Sequence, residues 1–524
     1  MNVLARAHTR TRALAHALAL ALALALTLAS AQAAPLDPVP AGLPPAERFE
    51  LDNGLTVLLV PNQGNPYLNI QLAFRAGGGA DPAGKEGLAS LLGRMLSAGT
   101  SGAGGLDEPT LAAELARLGG WIGTDAGMES FGLGGQIPTF SDVEVRRFLD
   151  IFVAMALEPT LPADLLEREK TLRLGTLQRV ADNPESLAEI AVKLAAFGNN
   201  AFGFTGYGTP PSIVRITRDD LVEMHAALFN PAHGVLIVGG AFEATAMRTW
   251  IERRFGRSAA WAPVQHTVQG TLPGRLAKLC AVSRTSRDVC FDNRLASAPP
   301  ASTGTAAEVR TIHIVVDDPG LTQIPWRLVA TNPVAMLDPR WPAFRLGTFI
   351  LGGDFTSRLN ETLRTKEGLT YGAYFEAAFG GYFSGAMNVS TDATPDALIK
   401  SITLAKAELV KIAKEPLPAL ELSQSRAMMV NSFAFKFETL SDTIDQYLTL
   451  EVAHIPLSWL ADWRTALGRP TAAEIQSSMT AIDPARMTLI VAGPVSLGPT
   501  LAKLGHGRLT TITAPTLVGS GLPD

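Results

Sequence analysis

Only two cysteines, Cys280 and Cys290, occur in 524 residues. That excludes a disulfide-dense fold and a thiolate-rich metal cluster, which need several cysteines at close spacing. Histidine is scarce as well. Beyond His8 and His16 the sequence holds His225, His233, His266, His313, His454 and His506, scattered singly. No two share the four-residue step that lets one helix face grip a metal. Basic charge is not in excess: the net charge is −5, so phosphate neutralisation, and with it nucleic acid as a main partner, is excluded. After the first 33 residues no apolar run reaches the roughly 18 residues of a membrane span. No Gly-x-Ser-x-Gly elbow, Walker loop or dinucleotide fingerprint is present. The glycine-rich "RAGGGADPAG" (75–84) lacks the required spacing and reads as a turn.

What is present suits a folded protein of two or more domains, with 47% apolar and 18% charged residues. Residues 1–33 form a separate object. Arg6, Arg10 and Arg12 precede an Ala/Leu run from Ala13 to Ala29, and Ala31-Gln32-Ala33 offers a cleavage site. The pattern predicts a secretory signal peptide; the competing reading, a membrane anchor, has an apolar run of marginal length. Removal of the three arginines takes the net charge to −8. An exported chain meets an oxidising compartment, the periplasm where the cell has an outer membrane. Cys280 and Cys290 are therefore expected to pair as a disulfide, with two free thiols as the alternative.

The chain repeats itself. "ITRDDLVEMHAALFNPAHGVLIVGG" (216–240) resembles "PTAAEIQSSMTAIDPARMTLIVAG" (470–493). Each opens on a capping-box pattern, Thr217 with Asp220 and Thr471 with Glu474. Each continues through an apolar helix and an Asn/Asp-Pro turn to a buried strand ending in glycine. Pro231 and Pro484 lie 253 residues apart, and the Asp-Pro steps at 81 and 338 lie 257 apart. Two landmarks at nearly one offset predict two copies of a domain of about 200 residues, too long for a solenoid unit.

Strand patterns at 54–61 and 68–77 open the first copy, the latter alternating Leu68, Ile70, Leu72 and Phe74 as a half-buried strand does. Helices are expected at 86–97, 108–118, 142–157 and about 163–180. The second copy reads as strands at 311–318 and 326–332, helices near 340–351 and 355–366, strands at 370–378 and 382–391, then helices near 395–413 and 418–433. The fold class is α+β, with helices layered on sheets. The expected divisions are a signal peptide (1–33), a linker (34–45), a first domain (46–265), a linker or insert with the cysteine pair (266–308), a second domain (309–512) and a tail (513–524).

"GLASLLGRMLSAGT" (87–100), with "FELDNGLTVLLVP" before it, resembles the pitrilysin/insulinase family of zinc peptidases. Members carry His-x-x-Glu-His on this helix. Laid on that pattern, Gly87, Ala89, Met95, Gly99 and Thr100 keep their places. Ser90 stands at the first histidine, Gly93 at the glutamate and Arg94 at the second histidine. Two histidines four apart can hold one zinc while the glutamate serves as base for its water. Serine is a poor ligand, glycine accepts no proton, and arginine is a fixed cation that repels a metal. The family's third ligand, a glutamate on a later helix, falls near Leu174 in "LEREKTLRLGTLQRVADNP" (166–184), with Glu167 or Glu169 reached by a small shift.

The second copy keeps more of the family pattern. "LGGDFTSRLNETLRTKEGLTYGAYFEA" (351–377) resembles the family's substrate-binding stretch, with Gly352-Gly353, Ser357-Arg358-Leu359, Gly368-Leu369 and the pair Arg364 and Tyr371. The resemblance covers residues 46–512. It implies two homologous α/β sandwich domains of the pitrilysin or mitochondrial-processing-peptidase type. It also implies a non-catalytic subunit that binds no zinc and supplies Arg364 and Tyr371 to a zinc-bearing partner of the same family, with peptide or unfolded protein as substrate. In the family that pair hydrogen-bonds the substrate backbone. A guanidinium fork and a phenol suit the task. By residue alone, Arg364 also fits a helix end and Tyr371 a strand start. The rival function is a peptidase-derived scaffold or binding protein with no part in proteolysis.

Overall fold

The computed structural model describes residues 44–199, 202–256, 261, 309–379 and 384–522. Cys280 and Cys290, and the signal-peptide segment, lie outside the described residues. The first half supplies β1 (Glu47–Glu50), β2 (Thr56–Pro61), β3 (Tyr67–Phe74), the short β4 (Gly99–Thr100) and β5 (Leu106–Asp107), β6 (Trp121–Ala126), β7 (Phe131–Pro138) and β8 (Gly234–Gly240). The second half supplies β9 (Arg310–Val315), β10 (Ile324–Thr331), β11 (Ala373–Phe379), β12 (Ser384–Ala393), β13 (Thr488–Gly493) and β14 (Arg508–Thr513).

Two six-stranded sheets result, ordered β1-β2-β8-β3-β7-β6 and β11-β12-β10-β13-β9-β14. The second order, reversed, repeats the first. β2 and β8 pair in parallel as β9 and β13 do, and β3 joins β8 antiparallel as β10 joins β13. Only the sixth strand departs: β1 runs antiparallel to β2, whereas β14 runs parallel to β9. The repeated helix starts hold as well. Thr217 with Asp220 and Thr471 with Glu474 each form a reciprocal capping box at the head of Arg218–Leu228 and Ala472–Met479.

Each half lends a helix to the other's sheet. Pro184–Phe197 starts on the Asn183 side chain, which accepts from the Ser186 N–H, and has proline in its first turn. It packs across β10 and β13. Leu440–Val452, started by a Thr439/Asp442 capping box, packs across β8 and β3. The alternation in β3 suggested one face open to water; instead that face is covered, and Gln71 donates to Asp445 of the second-half helix at 2.8 Å. Gly239 packs closely there, where a Cβ would stand 2.8 Å from the end of the Ile444 side chain. Across the other crossing, buried Arg327 of β10 reaches Glu189 at 3.0 Å and also pairs with Glu185. The first-half core accordingly continues into Val329, Ile490 and Ala492 of the second sheet.

The helices expected at 86–97, 108–118, 142–157 and 163–180 are Leu88–Leu96, Glu108–Leu118, Asp142–Leu157 and Ala163–Ala181. Two expectations need correction. Residues 513–524 are not a tail: Ala514–Ser520 is a helix that buries Ala514, Leu517 and Val518 against first-half helices. The helix expected near 355–366 starts at Arg358, after a turn, and is wide and π-type over Asn360–Lys366. Among the described residues no helix is long and apolar enough to cross a membrane.

Candidate functional site

Leu88–Leu96 begins where Gly87 takes a φ of 94°, a left-handed conformation that glycine adopts without a Cβ penalty. The buried Asp81 carboxylate accepts from the N–H groups of Gly87 at 2.7 Å and Ala89 at 2.9 Å, satisfying donors that a helix start leaves open. Burial pushes this carboxyl up to about 7 against the pull of its backbone donors. Leu88, Leu91, Leu92, Met95 and Leu96 are buried, so the retained apolar face is the packing face. Gly93 lies against β6, where a Cβ would stand 3.0 Å from the Thr124 hydroxyl.

Ser90 and Arg94, one helical turn apart, face helix Ala163–Ala181. That helix answers with Glu169 and Arg173, again one turn apart. Arg173 Nη2 donates to Ser90 Oγ at 3.0 Å, and Arg94 Nε donates to Glu169 Oε2 at 3.4 Å. Glu169 Oε1 also accepts from Arg168 at 3.1 Å, and Arg168 holds Glu108 through two bonds of 2.7 and 2.6 Å. The Arg173 guanidinium lies 4.7 Å from the centre of the Tyr207 ring. Burial lowers its pKa, as does Arg94, while Tyr207 and Glu169 hold it up. The placement at Leu174 needs correction: Leu174 is half-buried against the apolar core, and the side chains that meet the Ser90/Arg94 face are Glu169 and Arg173.

These residues do not fit a zinc ion. One carboxylate already bound by two arginines, a serine and a buried guanidinium offer no tetrahedral set of histidine, cysteine or carboxylate ligands. Among the described residues no three such side chains gather anywhere. Two of the described histidines sit in structural settings. His225 Nε2 lies 2.8 Å from the Ala156 carbonyl and its ring stacks on Phe229, while His313 sits fully buried in β9.

In the second half the structure brings Arg364 and Tyr371 together. Helix Trp341–Gly352 ends against β11, where a Cβ on Gly352 would stand 2.2 Å from the Phe375 nitrogen and one on Gly353 2.4 Å from Phe349. The Gly-Gly step is therefore a demand of close packing. Buried Asn360 ties the turn to the strand: its amide nitrogen donates to the Asp354 carbonyl at 2.8 Å, and its oxygen accepts from the Ala373 N–H at 3.0 Å. Arg358 is bound by Glu421 at 2.8 and 2.6 Å. Gly368, with φ of 61°, turns the chain out of the wide helix.

Arg364 then projects between two rings, with its guanidinium carbon 5.3 Å from the centre of Phe355 and 5.9 Å from that of Tyr371. Tyr371 is 90% exposed and precedes β11 rather than opening it. Phe355, also exposed, meets Tyr374 edge-on at 6.0 Å. Sequence reasoning missed Phe355; its signal was a large aromatic in the turn between the paired glycines and Ser357. A cation held by ring faces keeps its edge donors for other acceptors. An exposed phenol beside it adds a further donor.

Residues 215–429 match the family model described as Peptidase M16 inactive domain. The non-peptidase homolog YmxG of Helicobacter pylori is 21% identical over 398 residues, 74% of this chain and 80% of that protein. The fold is similar to the crystal structure of a peptidase M16 inactive domain from Pseudomonas fluorescens, at 22% identity and TM-score 0.71, covering 86% of this chain and 98% of that one. It is similar also to the periplasmic protease PqqL of Escherichia coli, at 12% identity and TM-score 0.65, covering 89% of this chain and 51% of that one. At such identities the structural likeness carries the fold alone.

Proposed function

We propose that this chain, similar to the peptidase M16 inactive domain and to a non-peptidase homologue, is a zinc-free, substrate-binding subunit of a two-chain peptidase. A zinc-bearing chain of the same family supplies the metal and its water. This chain supplies Arg364 and Tyr371, which bind the backbone of a peptide or unfolded protein. The observation that carries the reading is a contrast between two clusters. Where a metal site would sit, Arg94 and Arg173 close on Glu169 and Ser90. Where substrate would be bound, Arg364 and Tyr371 stand together and Tyr371 is almost wholly exposed. Export to the periplasm, through residues 1–33, is part of the proposal; the periplasmic name of one structural neighbour supports it.

Reconstitution tests it. The purified chain alone should hydrolyse no peptide and carry no stoichiometric zinc. Mixed with a zinc-bearing family member from the same cell, it should raise peptide turnover. Arg364→Ala should then lower turnover by about 100-fold, the scale of losing one preorganised donor at a developing charge, and Tyr371→Phe should lower it by less. Unchanged turnover in both variants removes the site assignment. Isolation from the native cell without any peptidase partner favours the scaffold reading instead.

A further inference from the structure

The Arg94/Arg173 cluster is given nothing to bind in the reading above, yet it is electrostatically unfinished. Three guanidinium groups, Arg94, Arg168 and Arg173, face two carboxylates, Glu108 and Glu169. Arg168 is matched by Glu108, leaving Arg94 and Arg173 with one shared acid. Arg173 fares worst. The residue is only 8% exposed, and among the described residues its sole hydrogen-bonded side chain is the neutral Ser90 and its Nη1 has no partner. A buried guanidinium with an unmet donor is costly, and an anionic oxygen that reaches it offsets part of that cost. Arg94, with a side chain 59% exposed, gives access from solvent, and the half-exposed Tyr207 ring closes over Arg173. A pair of guanidinium groups at this place discriminates by charge and by bidentate geometry.

We propose that Arg94 and Arg173 form a carboxylate-binding site that takes a peptide carboxylate, with Tyr207 as the ring that moves aside to admit it. That the carboxylate belongs to a peptide rests on the function proposed above. The site itself does not, and the chain is tested alone so that absence of a peptidase partner leaves the result readable.

The probe is a fluorescein-labelled decapeptide of Gly, Ala and Ser in three forms: free C-terminus, C-terminal amide, and C-terminal amide with one internal Glu. Binding is read by anisotropy at low salt and again at 0.5 M NaCl, where screening should weaken it (Debye length about 4 Å). The free acid should bind at least about tenfold tighter than the plain amide, as expected for charge-assisted bonds. The Glu-containing amide reports whether a side-chain carboxylate is taken as well. Both Arg173→Met and Arg94→Met should abolish the preference; Arg94 is exposed, so that variant reports even where Arg173→Met fails to fold. Arg117→Met, which removes an equal charge from an exposed helix, should keep it. Equal binding of all three peptides, no binding of any, or a preference that survives Arg94→Met overturns the proposal.

Discussion

Arg327 offers a direct test of how the halves are joined. Its side chain is 1% exposed, in the middle of β10. Nε donates to Glu189 at 3.0 Å, Nη2 to Glu185, and Nη1 to the carbonyls of Trp326 and Thr391 at 3.0 and 3.1 Å. The two acids belong to the first-half helix and are about half exposed, so they rehydrate when released. The cation does not. The double substitution Glu185→Gln/Glu189→Gln keeps acceptors in place and removes both counter-charges. Breaking a buried pair costs about 3–5 kcal/mol; with amide oxygens and two carbonyls still accepting, the lower end, about 3 kcal/mol, is expected. Arg327→Met removes the charge and retains volume, so it should cost about 1 kcal/mol or less. Adding it to the double variant should restore stability, a non-additivity that marks a shared network. Urea unfolding followed by circular dichroism measures all four proteins. A double variant within about 0.5 kcal/mol of the parent, or Arg327→Met as the worse lesion, would refute the reasoning.

Other outcomes follow from single sites. Ile444→Ala, at the helix that backs β8, should cost about 3 kcal/mol in the same urea assay, because Ile444 is fully buried. Gly87→Ala should lower the melting temperature, since Gly87 sits at φ 94° and a Cβ would stand 2.9 Å from the Tyr207 carbonyl. His233 is pushed down to about 4 by burial and by Arg75. The unfolded chain therefore binds the proton first, and this group's stabilisation is lost as pH falls from about 6.5 towards 4, by up to about 3 kcal/mol. His233→Gln should flatten that acid limb in pH-dependent denaturation. Asp81 has the opposite sign. With its folded pKa raised to about 7, its contribution is complete below about pH 4 and is lost as pH rises through 7; Asp81→Asn should shrink this loss, which is about 4 kcal/mol at most.

The sequence by itself determined the local elements and the repeat. Capping boxes at Thr217 and Thr471, apolar helix faces and buried strands are written in residues within one or two turns of each other, where hydrogen-bond geometry and side-chain period decide the outcome. It also determined that Gly93 and Arg94 offer no metal-ligating side chain and Ser90 only a poor one, because side-chain type alone settles what can bind a metal. Tertiary structure decided the rest. The alternation of β3 gave no sign that Leu440–Val452 would cover its polar face, nor did 513–524 announce a helix, since both depend on surfaces contributed from hundreds of residues away. Likewise Arg173 joins Ser90 only because two chain-distant helices converge there, and Phe355 meets Arg364 only through the turn that leads into the wide helix. Periodicity records which face of an element is apolar; only the folded chain records what that face, and the opposite one, will meet.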